Sequence, residues 1–181
     1  MNVDTTPIPG LLLVTPKVFG DARGFFLETF NAERYAPHGI TGPFVQDNWS
    51  RSTRGTLRGL HFQNPNPQGK LVSVARGAVY DVALDVRVGS PHFGQWYAVE
   101  LSEANKRQLW IPPGFAHGFY VLSDEADFTY KCTTLYAPSC EHSVLWNDPK
   151  VAIDWPTRAP LLSTKDAAAP TLDAAQGLPT Y

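Results

Sequence analysis

The sequence predicts an all-β domain: a barrel or sandwich of short strands with a few short helices. Three observations carry this. Apolar and polar residues alternate from Lys70 to Val88, "KLVSVARGAVYDVALDVRV", the period of strands with one buried face. Turn formers are frequent, with 16 prolines and 14 glycines, and aromatic residues reach 12%, a composition suited to pleated, half-buried surfaces. No stretch has the length and period of a long amphipathic helix.

The elements follow in chain order. Residues 1–50 are read as N-terminal strands, interrupted where Asn31 caps a brief helix through "AERYA" that Pro37 ends. "TLRGLHFQ", Thr56 to Gln63, reads as a strand with unusually dense polar chemistry. In the stretch after Lys70, Val72, Val74, Ala78, Tyr80, Val82, Leu84, Val86 and Val88 form the apolar set. Ser73, Asp81, Asp85 and Arg87 fall on the other parity, and Gly77 marks a turn or bulge. "GQWYAVELS" is a further strand, and "LSEANKRQ" offers Ser102 as the cap of a short polar helix. "PPGFAHGFYVLS" is a turn at Pro112–Gly114 followed by a strand, and "DFTYKCTTLY" is another strand. From Pro156 alternation stops and Ala and Pro accumulate. Residues 156–181 therefore read as a C-terminal excursion over the barrel, loose after about Ala167. One domain over 1–181 is expected, with no internal repeat.

Composition bounds the function. A chain of 181 residues with 43% hydrophobic content suits a single well-formed core and excludes wholesale disorder. Fifteen basic and 17 acidic residues leave a net charge of -2, which argues against a nucleic-acid partner gripped by bulk charge. No apolar run approaches the ~20 residues of a membrane span. "MNVDTTPIPG" has neither the basic nor the apolar region of a secretory signal, so a cytoplasmic protein is expected. Cys132 and Cys140 fit no Cys-x-x-Cys pattern and are expected to be reduced.

Of the five histidines, His38 and His92 lie in turn-like contexts and are assigned to solvent. His61 and His117 lie on strands. Phe115, His117, Phe119 and Val121 share one parity, so His117 points inward with its apolar neighbours. His61 is open to three roles: metal ligand, proton carrier, or hydrogen-bonded core residue. Lys70 shares parity with Val72 and Val74 and enters the barrel from its mouth. It either snorkels to water or supplies a fixed positive charge to a developing oxyanion. Phe128, Tyr130 and Cys132 share the inward face of their strand, which makes Tyr130 either core or a general acid.

"PPGFAHG" resembles the second motif of the cupin superfamily of jelly-roll barrels, with Pro112, Gly114 and His117 in place. The metal-binding form of the first motif needs a second histidine and a glutamate. Gln63 occupies the histidine position and no glutamate follows nearby. Two histidines without a carboxylate make a poor first shell for iron, manganese or zinc, so no metal is expected. A longer resemblance is carried by "GDARGFFLETF", "FVQDNWSRS", "RGLHFQ", "QGKLVSVARGAVYDVALDVR", "WIPPGFAHGF", "YKCTTLYAP", "LWNDP" and "IDWP", in order from about Pro9 to Asp166. Together these resemble the dTDP-4-dehydrorhamnose 3,5-epimerase family.

The resemblance implies an isomerase that converts dTDP-4-dehydro-6-deoxy-D-glucose to dTDP-4-dehydro-L-rhamnose in dTDP-L-rhamnose biosynthesis, with no cofactor. It implies His61 as base, Asp166 as its paired carboxylate, Lys70 as enolate stabiliser and Tyr130 as acid. His117 would line the sugar pocket. Arg23, Glu28, Gln46, Asn48, Arg58, Glu141 and Lys165 match nucleotide-binding positions, and Phe26 is available to stack on thymine. Arg23 and Glu28 also read as an ordinary strand-edge charge pair. A homodimer is implied, the N-terminal segment of one subunit reaching the other's site.

Strict alternation sets Arg58 and His61 on opposite faces, and Gly55 and Gly59 offer a bulge that would re-aim one of them. The competing readings are an epimerase acting at only C3 or C5 of a related sugar, a metal-dependent cupin oxygenase, and a non-catalytic sugar-binding barrel.

Overall fold

Two antiparallel sheets face one another across the core of a computed structural model that describes residues 1–181. Thirteen strands occur in chain order: β1 (Asn2–Thr5), β2 (Leu12–Thr15), β3 (Val18–Asp21), β4 (Gly24–Leu27), β5 (Gln46–Thr53), β6 (Leu57–Gln63), β7 (Lys70–Arg76), β8 (Ala78–Asp85), β9 (Trp96–Ser102), β10 (Gln108–Ile111), β11 (Phe115–Val121), β12 (Glu125–Cys132) and β13 (Glu141–Ser143). The first sheet has the order β1-β2-β10-β7-β12-β5 and the second β13-β6-β11-β8-β9. β3 and β4 form a separate two-stranded ribbon. The all-β, cupin-like jelly roll expected from the sequence is what is found, with two helices, α1 (Ala32–Tyr35) and α2 (Thr164–Ala167), of four residues each. No helix is long and apolar enough to cross a membrane.

The space between the sheets is filled from both sides. Val72, Val74, Leu109 and Phe128 of the first sheet meet Val79, Ala83, Phe115 and Phe119 of the second. A second apolar layer lies outside β6, β8 and β11, where Val82, Leu84 and Ala116 are covered by Trp146, Val151, Trp155 and Leu172. Each such side chain contributes roughly 1.5–3 kcal/mol when fully buried, so the C-terminal segment is an integral wall. A third cluster packs Tyr35 and Ile40 on Val14, Leu71 and Trp110. It is entered by α1, whose first turn Asn31 caps through the N–H groups of Glu33 and Arg34.

Three expectations are corrected. The apolar parity read through β8 faces outward, under the C-terminal segment, whereas Val79, Asp81, Ala83 and Asp85 are the buried inner set. β8 is covered on both faces, so alternation does not report which side is inside. "LSEANKRQ" forms a turn rather than a helix: Asn105 N donates to Ser102 Oγ and Ser102 N donates to Asn105 Oδ1. The end of the chain is not loose. Val88 N donates to Pro179 O, Tyr181 N donates to Val88 O, and Arg87 lies between the rings of Phe115 and Tyr181.

Candidate active site

β6 and β11 bring His61 and His117 together as cross-strand partners. From that pair, two residues on β11 lead to Phe119 while three on β6 lead to its partner Arg58. The extra residue is a β-bulge, and it brings Arg58 and His61 to the same cavity despite their opposite parity. Gly59 makes this local geometry attainable. Its φ is +126°, and a Cβ there would lie 2.5 Å from Gly118 Cα and 2.8 Å from His117 O. Arg58 is steadied by Ser52, whose hydroxyl accepts from Nε at 2.9 Å.

The facing sheet supplies Lys70 and Tyr130. Lys70 pairs with Cys132 and Val72 with Tyr130, so the Lys70 and Tyr130 side chains leave the same inner face. Neither Lys70 Nζ nor Tyr130 Oη forms a hydrogen bond or ion pair within the protein. Both line a cavity of about 490 Å³ with Arg58, His61, His117 and Asp166. An adjoining lobe of about 280 Å³ shares His61, Lys70 and Tyr130 and adds Gln46, Asn48, Tyr136 and Glu141.

Asp166 arrives from α2. Ser163 caps that helix, accepting from Asp166 N at 3.0 Å, and Asp166 Oδ1 sits 2.6 Å from His61 Nε2. Burial pushes the Asp166 carboxyl up, but hydrogen bonding and charge from His61, with Ser163 and Lys165, hold it below the ordinary carboxylate range. His117 makes a comparable pair, with Nε2 2.9 Å from Asp81 Oδ2. Asp81 is fully buried and its Oδ1 has no partner. Burial lowers the Lys70 ammonium from its usual value, with Cys132, Glu141 and Asp81 opposing that fall. The same cause raises the Tyr130 phenol, with Cys132 and Glu141 adding to the rise and Arg58 opposing it. Glu141 is held low: burial raises it, and hydrogen bonds from Lys165 and Tyr136 more than offset this. Cys132 and Cys140 are both free and buried.

Ten of the thirteen residues singled out from the sequence line these two lobes: His61, Lys70, Tyr130, Asp166, Gln46, Asn48, Arg58, His117, Glu141 and Lys165. Arg23, Phe26 and Glu28 do not. Arg23 pairs with Asp21 in its own turn at 89% side-chain exposure, Phe26 on the ribbon is 69% exposed, and Glu28 pairs with Arg34. The ribbon is held away from this chain's own cavity. Two cavity-related residues escaped sequence reasoning. Tyr136 lies in a turn with no periodicity to mark it, and Asp81 was placed on the wrong face of β8. Gln63 is buried, its amide bonded to the neighbouring backbone, and no three His, Cys, Asp or Glu side chains gather as a metal site.

A jelly roll with a His–Asp pair on one wall and an unpartnered lysine and tyrosine on the other has the parts of a proton-transferring isomerase. A family model described as dTDP-4-dehydrorhamnose 3,5-epimerase matches residues 5–174. The dTDP-4-dehydrorhamnose 3,5-epimerase of Salmonella typhimurium is 57% identical over 178 residues, covering 97% of each chain. The crystal structure of a dTDP-6-deoxy-D-glucose-3,5-epimerase from Legionella pneumophila, in complex with dTDP-4-keto-L-rhamnose, superposes with a TM-score of 0.97 at 57% identity. It covers 99% of this chain and 98% of its own. A dTDP-4-dehydrorhamnose 3-epimerase of Streptomyces niveus is 43% identical over 187 residues, covering 100% of this chain and 90% of its own. The chain belongs to the dTDP-4-dehydrorhamnose 3,5-epimerase family and is an isomerase.

Proposed function

We propose that this protein inverts C3 and C5 of dTDP-4-dehydro-6-deoxy-D-glucose to give dTDP-4-dehydro-L-rhamnose, by proton transfer through an enolate. The observation that carries the reading is the placement of His61–Asp166 on one wall of the cavity and of Lys70 and Tyr130 on the other. The C4 ketone acidifies the C–H bonds at C3 and C5. Asp166 holds the Nε2 side of His61, which leaves Nδ1 as the nitrogen that takes the proton. Negative charge then develops on the C4 oxygen, where the Lys70 ammonium, with no partner of its own, stabilises it. Tyr130 returns a proton from the opposite face, so configuration inverts. The raised Tyr130 phenol keeps its proton at neutral pH until an enolate carbon demands it.

The nucleotide suits the junction of the two lobes. Arg58 and Lys165 in the first offer cationic donors to a diphosphate, and Gln46, Asn48 and Glu141 in the second offer hydrogen bonds to a pyrimidine and its sugar. Tyr136, half exposed at this lobe, presents a ring face for the base. Arg23, Phe26 and Glu28 fit the same reading as contributions from a second subunit, whose ribbon would enter this site in a homodimer. We place the enzyme in the cytoplasm, as one domain over 1–181, in dTDP-L-rhamnose biosynthesis.

Inversion at one carbon only is the second reading, favoured by the likeness to a 3-epimerase. Incubation with the 4-ketosugar nucleotide in deuterated water, with and without chelator, separates the two. Deuterium at C3 and C5 with inversion, insensitive to chelator, is expected. Deuterium at one carbon gives the second reading, and no exchange, or loss with chelator, overturns both.

A further inference from the structure

Gln63 ends β6, two residues beyond His61, and is 4% exposed. Its amide reaches across to the turn before β13. Nε2 donates to Leu135 O at 3.3 Å and to Asn66 O at 2.9 Å, and Oε1 accepts from Ala137 N at 2.8 Å. One buried side chain thus grips the backbone on both sides of Tyr136. Tyr136 itself is fixed at two further points: its N donates to Gln46 Oε1 and its hydroxyl donates to Glu141 Oε2, each at 2.8 Å. Yet residue 136 stays 49% exposed. The ring is thus held at its hydroxyl, its own backbone N–H and the backbone of both neighbours, and is left half open to solvent.

We infer that Gln63 is a positioning residue that holds Tyr136 as a preformed platform for the pyrimidine base of the nucleotide. The inference rests on the dTDP-sugar reading above. Its physical content is that the ordering of the Tyr136 turn is completed during folding rather than at binding, so stacking is not diminished by loop ordering. Residue chemistry matters here. A planar amide supplies two donors and one acceptor in the arrangement that two carbonyls and one N–H demand. An imidazole has at most one donor alongside one acceptor. The position that carries a ligand in metal-binding jelly rolls is therefore assigned to base recognition in this one.

The test compares dTDP with inorganic pyrophosphate, which has the charge but no base. Gln63→Met keeps the volume and removes all three hydrogen bonds. It is expected to weaken dTDP binding roughly tenfold and to leave pyrophosphate binding within about twofold of wild type. Tyr136→Ala is expected to lose at least as much dTDP affinity, and Gln63→Met added to it is expected to have no further effect. Equal losses for both ligands, no loss for dTDP, or additive losses in the double variant would overturn the inference. Should Gln63→Met fail to fold, Gln63→Glu, which sets a carboxylate against the two carbonyls, is judged by the same criteria. A wild-type protein that binds dTDP no better than pyrophosphate overturns the underlying reading itself.

Discussion

His61–Asp166 and His117–Asp81 are built from the same two residue types, on adjacent strands, through the same ring nitrogen, at 2.6 and 2.9 Å. They differ in access and in origin. The His61 side chain is 29% exposed and its carboxylate comes from a C-terminal segment 105 residues away. The His117 side chain is 8% exposed and its aspartate comes from the neighbouring strand of the same sheet. Ser163 accepts from the backbone N–H of Asp166 and so fixes the helix turn that carries it, while Asp81 keeps one fully buried carboxylate oxygen unpartnered. A His–Asp pair is thus no functional signature in itself. The proposed base is the more exposed of two histidines that line one cavity, and the one whose aspartate arrives when a separate segment folds over the barrel.

His61→Ala should break this comparison most severely. Solvent exchange into substrate is expected to fall about 10,000-fold, while dTDP binding, measured by calorimetry, survives. Survival of exchange would transfer the base to another residue. Asp166→Asn should cost about 1,000-fold, because an amide N–H aimed at Nε2 drives the ring proton to Nδ1, the nitrogen needed as base.

Lys70→Met removes the charge that both histidine pairs flank. Exchange should drop by about 100- to 1,000-fold. Melting temperature should rise by a few degrees, because the native state no longer buries an ammonium without a partner. A lower melting temperature would show that Lys70 has a structural partner in solution. His117→Ala should show the reverse balance. It strands Asp81 and removes a ring stacked on Phe128, at a cost of at least about 1–3 kcal/mol. Exchange per folded molecule should fall less than for His61→Ala.

The smallest effect expected is in acid. Asp166, Asp85 and Asp148 are all held below the ordinary carboxylate range: burial raises each, and hydrogen bonds outweigh it. A carboxylate depressed in the folded state contributes stability that is complete above its unfolded value, about pH 4, and is lost as pH falls through the folded value. Thermal melts should therefore be nearly flat from about pH 5 to 7 and fall below about pH 4. Asp166→Asn should shrink that acid limb, and an unchanged limb would place the depression elsewhere.

Much of this is legible in the sequence. The strands around "PPGFAHGF" and "DFTYKC" turned inward the residues their parity indicated, because each has one face on the shared core. Lys70 entered the cavity for the same reason. Legibility failed at β8, where Trp146 and Trp155 cover the outer face and make both parities apolar. It failed again at the chain end, where backbone bonds to Val88 leave no mark in composition. Arg58 was ambiguous because a single extra residue inverts parity, and only the register with β11 reveals it.

Local pattern and residue chemistry determined the all-β class, the inward histidines, lysine and tyrosine, and the likeness to one enzyme family. These depend on a period of two residues and on side-chain type, both written along the chain. Tertiary structure decided which carboxylate meets which histidine, that Gly59 and Gly118 bring β6 and β11 close enough for the bulge, and that the ribbon carrying Arg23 and Phe26 stays away from its own cavity. Those depend on register and on contacts between distant segments, which the free energy of the whole fold selects and no short window of sequence contains.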